Sequence, residues 1–177
     1  MNSRLSFLLV ASQLCLVSCF QGRTLSPLSE AEFAFTKDGN VLLVHNVDCN
    51  QYYWFVSIDE FRNDLYHSPK GKINSIIDDN PDWQFVCYCH CSKVDSLQII
   101  RVLQRYDCKM PVVIDENGSF LISNGIKERY SDIGFICDKR GRCLGVSTIG
   151  TVQSFFDQEF SRVKSSMRDL RLRSRVP

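Results

Sequence analysis

Apolar and polar positions follow two different periods along the chain, and together they predict an alternation of strands and helices. Asn40 to His45 is a nearly continuous apolar run, typical of a buried parallel strand. From Tyr52 to Leu65 apolar residues recur at spacings of three and four, which predicts an amphipathic helix. Trp83 to Cys89 predicts the next strand. Because a helix joins the two strands, we expect them to be parallel neighbours.

The second half of the chain predicts a further helix, a short strand, a hairpin and a last helix. Ser92 to Asp95 has the form of a capping box that opens a helix. Val112 to Asp115 predicts the short strand. Ile133 to Cys137 and Cys143 to Ser147 flank a turn-rich connection and predict an antiparallel pair. Thr151 is the predicted N-cap of the last helix.

The first apolar run of the chain indicates its destination. Leu5 to Val17 is almost uninterrupted apolar sequence, follows Arg4 and ends at Ser18-Cys19. These are the parts of a secretory signal sequence. Its length of about 13 residues is too short for a bilayer, which needs roughly 20, so we expect removal rather than a permanent span.

Leu16-Val17-Ser18-Cys19 resembles the lipobox of bacterial lipoproteins, in which the cysteine is diacylated and becomes the first mature residue. The resemblance implies lipid attachment at Cys19, membrane contact through that lipid, and a place in the bacterial cell envelope facing the periplasm. Two acyl chains hold a protein at a membrane without a spanning segment. An ordinary secretory signal with a chance cysteine is the alternative, and export follows from both.

Charge is distributed unevenly after the signal sequence. Ser161 to Pro177 carries six basic residues against one acidic residue, whereas the preceding region is acidic. The arginines of this tail could contact anionic headgroups or a partner, or could form a solvated helix end. They are Arg168, Arg171, Arg173 and Arg175. A short basic tail lacks the broad basic face that nucleic acid requires, which excludes that class of partner.

The chain has nine cysteines, of which Cys15 leaves with the signal sequence and Cys19 carries the lipid. The remaining seven cannot all pair within one chain. With 44% hydrophobic residues the domain can fold without disulfides, so we expect most of these thiols to be buried and free. Cys137 and Cys143 flank the predicted hairpin turn and could pair across it if the geometry allows.

Three stretches resemble the thioredoxin-like fold, in particular the TlpA/ResA-like branch of membrane-attached thiol proteins. They are Asp38 to Cys49, Met110 to Gly118, and Phe135 to Arg142. The resemblance covers Asp38 to Val163 and implies an α/β domain with a central mixed β-sheet flanked by helices. It predicts a signal peptide over residues 1–18, a tether over 19–37, the thioredoxin-like domain over 38–165 and a basic tail over 166–177.

Two departures fall on the residues that carry the family's chemistry. The resemblance places a Cys-x-x-Cys motif at a helix start, and this chain has Cys49-Asn50-Gln51-Tyr52. A dithiol enzyme needs its second thiol to resolve the mixed disulfide, and Tyr52 cannot do so. The family's cis-proline before the hairpin strand corresponds to Asp132. A carboxylate near Cys49 would raise the pKa of its thiol.

Cys89 and Cys91 are the other candidate thiols. Together with Cys87 they alternate along one predicted strand and so share a face. If this strand neighbours the first one, Cys89 or Cys91 could act as the resolving thiol for Cys49. Alternate strand residues rarely converge on one metal ion, so we expect neither a metal site nor a bound cofactor. The alternative is that these cysteines are small buried core residues.

These observations leave two main functional hypotheses. The first is a lipid-anchored thioredoxin-like protein without conventional dithiol catalysis, which acts as a binding or accessory module for an envelope protein partner. The second is a thiol-disulfide oxidoreductase with Cys49 as the nucleophile and Cys89 or Cys91 as the resolving thiol. A thiol-based metal carrier is a weaker third hypothesis, and whether the chain is an enzyme stays open.

Overall fold

The computed structural model describes residues 20–29, 31–45, 48–67, 71–91, 96–126, 132–147 and 153–173. The strands are β1 (Ala31–Thr36), β2 (Gly39–Val44), β3 (Asn50–Ser57), β4 (Trp83–His90), β5 (Val112–Ile114), β6 (Asp132–Cys137) and β7 (Cys143–Val146). The helices are α1 (Ile58–His67), α2 (Lys72–Asp78), α3 (Ser96–Arg105), α4 (Ser119–Ser123) and α5 (Gln153–Arg173).

All seven strands belong to one mixed sheet, in the order β2-β1-β5-β4-β3-β6-β7. The central strands β3, β4 and β5 are parallel, and the outer pairings are antiparallel. The prediction of a central mixed sheet flanked by helices is confirmed. The carboxyl ends of the three parallel strands meet at one edge, where ligands of open α/β sheets usually bind.

Each face of the sheet carries its own core. Tyr52, Trp54 and Val56 of β3 pack on one face with apolar side chains of α1, α2, α3 and α5. Tyr53 and Phe55 pack on the other face with α4 and the segment around Phe20. Since both faces of β3 are covered, its side chains are buried throughout Tyr52 to Val56.

The predicted helix over Tyr52 to Leu65 is wrong in its first half. Residues up to Ser57 form β3, and α1 begins only at Ile58. A strand buried on both faces has no polar alternation, so its apolar residues merged with those of the following helix into one apparent period of three and four. The predicted neighbouring of the first strand and β4 is also wrong, because β4 lies between β3 and β5.

The strand predicted at Asn40 to His45 exists as β2, but it is not a buried parallel strand. Among the described strands it pairs with β1 alone, in antiparallel orientation, at the edge of the sheet. Its Val41 and Leu42 are exposed, as is Phe33 opposite Leu42 on β1. An apolar sequence at an exposed edge cannot be told from a buried strand by its pattern alone.

Residues 19–37 were predicted to be a tether, and their described part instead belongs to the domain. Ala31–Thr36 forms β1. Phe20 and Leu25 are buried, and backbone hydrogen bonds join Gly22 to Cys143 and Leu25 to Gly141. The prediction failed because a short irregular segment has no periodic signal of its own.

The later elements follow the sequence closely. The predicted strand at Trp83 to Cys89 is β4, and the predicted hairpin is formed by β6 and β7. The last helix is longer than predicted and continues to Arg173. The signal peptide, Cys19, the capping box at Ser92 to Asp95 and the N-cap Thr151 lie outside the described residues.

Candidate functional site

The junction between β3 and α1 lies at the carboxyl edge of the parallel strands. Strand β3 ends at Ser57, and α1 begins with Ile58, Asp59 and Glu60. The backbone N–H of Glu60 donates a hydrogen bond to Ser57 Oγ over 3.2 Å, so Ser57 caps the helix. Ser-x-x-Glu is a capping-box sequence, and it is the signal that could have located this helix start. None of these four residues carries a thiol.

Cys49 lies at the opposite end of β3. It immediately precedes the strand, close to the backbone of Gln84 and to Asp82. Partial burial raises the pKa of its thiol, hydrogen bonding to the Gln84 backbone opposes this, and Asp48 and Asp82 raise it further. The predicted strand-to-helix junction at Cys49 is therefore wrong, and the thiol is not activated by its surroundings.

Cys89 and Cys91 lie at the carboxyl edge, far from Cys49. Cys89 pairs with Val56, and from Asn50 to Val56 the strand spans roughly 20 Å at about 3.3 Å per residue. A disulfide requires Cα atoms within about 7 Å, so neither thiol can resolve a mixed disulfide on Cys49 directly. The prediction that the three thiols share an edge is wrong because the first strand was misassigned.

Cys89 and Cys91 contact each other. The Cys91 thiol also donates a hydrogen bond to the Cys89 carbonyl oxygen over 3.6 Å, and both residues are buried. A hydrogen bond between the two thiols raises the pKa of Cys89, as does burial. The same hydrogen bond lowers the pKa of Cys91 against the opposing effect of its own burial. Cys91 is therefore the more acidic thiol of the pair.

The position predicted to replace the family's cis-proline does face the junction. Asp132 begins β6 and pairs with Val56, and Trp54 Nε1 donates a hydrogen bond to its carboxylate over 2.7 Å. No cis peptide bond occurs among the described residues. Asp132 lies at the far end of β3 from Cys49, so its expected effect on the Cys49 thiol is absent. Its negative charge instead raises the pKa of Asp64 on α1.

Comparison with known proteins rests on structure. The sequence matches no protein-family model and no curated protein. A Chlorobium tepidum protein assigned as the thiol:disulfide interchange protein DsbE superposes with a TM-score of 0.57 at 16% identity, over 81% of this chain and 96% of that one. StoA from Bacillus subtilis superposes with a TM-score of 0.52 at 13% identity, over 76% of this chain and 99% of StoA.

A secreted Mycobacterium tuberculosis disulfide oxidoreductase superposes with a TM-score of 0.52 at 11% identity, over 73% of this chain and 94% of that one. The chain has the thioredoxin-like fold. The prediction of a thioredoxin-like fold is thus confirmed, although it assigned the wrong strand to the central position. In this thioredoxin-like fold the junction after β3 is the place where the resemblance implies a Cys-x-x-Cys motif.

The remaining cysteines of the thioredoxin-like domain lie in the cores. All seven cysteines of the described residues are free thiols, and six of them are buried. Cys137 and Cys143 are Cα partners across the hairpin, and their thiols share a hydrogen bond. The geometry brings the pair together without a disulfide. Cys87 and Cys108 lie in the core beneath α1 and α3.

A buried polar cluster that sequence reasoning missed ties the edge hairpin to the centre of the sheet. His45 Nε2 lies 2.8 Å from Glu32 Oε2, and Tyr88 donates a hydrogen bond to the same oxygen over 2.9 Å. Burial and the Glu32 carboxylate raise the pKa of Tyr88. His45 has no partner that its sequence neighbours suggest, because Glu32 is brought to it by strand pairing. The cluster fixes β1 and β2 on the domain.

Among the described residues no group of three or more His, Cys, Asp or Glu side chains is arranged to hold a metal ion. Within the part of the chain that the structure describes, none of the helices is both long and apolar enough to traverse a bilayer.

Proposed function

We propose that this chain is a lipid-anchored thioredoxin-like protein of the bacterial envelope that works as a binding or accessory module rather than as a conventional dithiol catalyst. The observation that carries the proposal is the β3–α1 junction, where Ser57, Ile58, Asp59 and Glu60 stand without a thiol. Thiol-disulfide exchange at this edge has no nucleophile in the usual place. The fold then serves to present a surface.

Polar side chains surround this junction. His90 pairs in register with Ser57, is exposed, and stacks on Phe55 with ring centroids 6.0 Å apart. Its Nδ1 lies 3.1 Å from the Asp115 carbonyl oxygen. The first turn of α1 adds the carboxylates of Asp59 and Glu60. Such a set offers hydrogen bonds, an aromatic face and negative charge to an envelope protein partner.

Export and anchoring are supported by the lipobox-like residues Leu16 to Cys19 and by the position of Phe20. Phe20 is buried against Phe135, with ring centroids 5.6 Å apart. A lipid on Cys19 would thus be attached next to a residue that is packed in the domain. One structural neighbour is described as secreted, which agrees with an extracytoplasmic site. Palmitate labelling of cells that express the chain should label it, and Cys19→Ser should remove the label.

The catalytic alternative is tested with the chain from residue 19 onward, carrying Cys19→Ser. We expect its rate of reduction of a glutathione mixed disulfide to equal that of an unfolded peptide thiol at the same concentration, and to stay unchanged in Cys49→Ser. A rate well above this background that disappears in Cys49→Ser would contradict the proposal and restore the nucleophile hypothesis for Cys49.

A second candidate function follows from the contact between Cys89 and Cys91 at the same edge as the junction. The Cys91 thiolate would attack a substrate disulfide, form a mixed disulfide and release one substrate thiolate. The Cys89 thiol would then attack the Cys91 sulfur, release the second substrate thiol and close a Cys89–Cys91 disulfide. The lowered pKa of Cys91 favours this step. The burial of both thiols opposes it, because a substrate disulfide cannot reach them without movement of neighbouring residues.

The same reduction assay separates this second function. If Cys89 and Cys91 are a working pair, activity is present in wild type, is lost in Cys91→Ser and persists in Cys87→Ala. The oxidised protein would also be 2 Da lighter in the peptide that contains both thiols. Absence of activity in wild type, with all thiols recovered in reduced form after exposure to oxidised glutathione, would exclude it.

A further inference from the structure

A cavity opens at the amino edge of the parallel strands, at the opposite end of the sheet from the β3–α1 junction. Its volume is about 460 Å³, and it lies between the start of β3, the β6–β7 turn and the middle of α5. Its lining combines cationic side chains with an apolar part. The cationic residues are Lys139, Arg140, Arg142 and Arg162, and the apolar residues are Leu144, Val163 and Met167.

The positive charge of this cavity is only partly compensated. Arg142 pairs with Asp138, the one carboxylate of the lining, over 3.1 Å. Arg162 pairs with Glu159 over 2.5 Å. Lys139 and Arg140 are exposed and have no ion pair within the described part of the chain. Two cationic groups are thus left at the mouth of a cavity that also has apolar walls.

The amino-terminal segment of the domain is fixed at this same cavity. Gln21 contributes to the lining, and the Leu25 N–H donates a hydrogen bond to the Gly141 carbonyl over 2.7 Å. A Cβ on Gly141 would lie 2.2 Å from the Leu25 carbonyl oxygen, so this close approach requires glycine there. Residue 19 precedes the buried Phe20 by a single peptide unit, about 3.8 Å between Cα atoms.

We propose that this cavity, with Lys139 and Arg140 at its mouth, binds the phosphate headgroup of an anionic phospholipid and holds the domain against the membrane. The inference rests on the proposed lipid anchor at Cys19. Because no free tether separates residue 19 from the domain, the acyl chains would enter the bilayer beside the cavity, and the cavity would face the headgroups. The phosphate contacts the cationic side chains, and the partly exposed Leu144 and Met167 contact the apolar part of the lipid.

A bilayer fits this site better than a soluble anion does. The cavity walls are amphipathic, as a headgroup joined to acyl chains requires. Helix α5 passes the cavity and continues to Arg173, carrying Arg168 and Arg171 on its last turns. Basic residues at an anionic membrane surface act together, because each one gains from the same negative surface potential.

The test uses the chain from residue 19 onward with Cys19→Ser, so that binding is measured without the lipid. We expect cosedimentation with vesicles of 70% phosphatidylcholine and 30% phosphatidylglycerol, little with phosphatidylcholine alone, and weakening with added salt. Lys139→Gln with Arg140→Gln should weaken binding to the anionic vesicles by about 30-fold, as expected for two residues at the surface. Arg101→Gln with Arg105→Gln, two exposed arginines of α3, is the matched control and should leave binding unchanged.

Three results would overturn the inference: equal binding to both kinds of vesicle, no effect of the Lys139 and Arg140 changes, or an equal effect of the control. Displacement from the vesicles by inorganic phosphate at the concentration of the vesicle phospholipid would assign the cavity to a soluble anion instead. Thermal melts verify that the variants fold. The mass of the Cys19 peptide from cells reports lipidation separately, so failure of the anchor and failure of the cavity are distinguished.

Discussion

Asp64 shows how a single buried carboxyl group links the junction to stability. Asp64 lies on α1 and is 2% exposed. Its Oδ2 has no hydrogen-bond partner in the described structure. Burial, then Asp132 and Glu60, raise its pKa from 3.8 to about 7. The folded protein therefore retains a proton that the unfolded chain releases near pH 4, and stability falls as the pH rises from about 4 to about 7.

Replacing Asp64 by Asn should flatten this dependence. The free energy of unfolding, measured by urea titration, should decline between pH 5 and pH 8 in wild type and change much less in Asp64→Asn. At pH 8 the variant should be more stable by about 1–3 kcal/mol. Asp59→Asn, an exposed position on the same helix, is the control and should keep the wild-type slope. An unchanged slope in Asp64→Asn would show that Asp64 titrates normally.

Cys49 should be the thiol that reagents reach first. It is the one described cysteine that is not buried, so reagents can reach it. Its raised pKa keeps the thiol protonated at pH 7, so the reaction should be slow there. We expect iodoacetamide to modify the folded Cys19→Ser chain once, at Cys49, slowly at pH 7 and faster toward pH 9. Peptide mass spectrometry locates the label. Fast labelling of Cys49 at pH 7 would contradict its raised pKa, and labelling of Cys91 before Cys49 would contradict the burial of Cys91.

At the level of elements, the sequence predicted a strand or helix wherever one periodic signal acted alone. Strand β4 and the β6–β7 hairpin were predicted to within a residue or two, because turn residues separate them from their neighbours. The junction was displaced by eight positions, from Cys49 to Ser57, because β3 and α1 follow each other with no polar break. The capping box at Ser57 and Glu60 is the sequence signal that marks the start of α1.

The junction itself can be tested by restoring what it lacks. Ser57 and Glu60 have the Cys-x-x-Cys spacing, and the backbone N–H of Glu60 contacts the Ser57 side chain across the first turn of α1. Ser57→Cys with Glu60→Cys should form a disulfide in the oxidised protein and give reductase activity on a glutathione mixed disulfide. Loss of the cap should lower stability by about 1 kcal/mol.

A matched pair at the predicted but displaced position distinguishes the two assignments. Tyr52→Cys completes a Cys-x-x-Cys motif with Cys49. This motif runs along the start of strand β3 and not along a helix, and Tyr52 is buried in the core. We expect no reductase activity from this variant and lower stability. Activity in Tyr52→Cys, but not in the Ser57 and Glu60 variant, would place the functional junction back at Cys49.

At the scale of the whole molecule, the fold was predictable because the resemblance depends on the order of elements and not on the identity of each strand. The prediction placed Cys49 at the carboxyl edge of the parallel strands instead of the amino edge, and so its expected proximity to Cys89, Cys91 and Asp132 was wrong. Contacts made by irregular segments were out of reach. The hydrogen bonds of Leu25 and the pairing of Glu32 with His45 arise from the course of the chain in three dimensions.

The packing of the amino-terminal segment determines whether the domain is held close to its lipid anchor or is joined to it by a flexible linker. Leu25 is 2% exposed and packs in the core that contains Phe20, Phe135 and Cys143. Leu25→Ala should therefore lower the free energy of unfolding by about 2–4 kcal/mol, as for other core leucines. Leu42→Ala on the edge strand, where Leu42 is 59% exposed, is the matched control and should change stability by about 0.5 kcal/mol or less. Equal, small effects in both variants would mean that residues 20–25 detach readily, and a domain attached in that way could not hold one face toward the membrane.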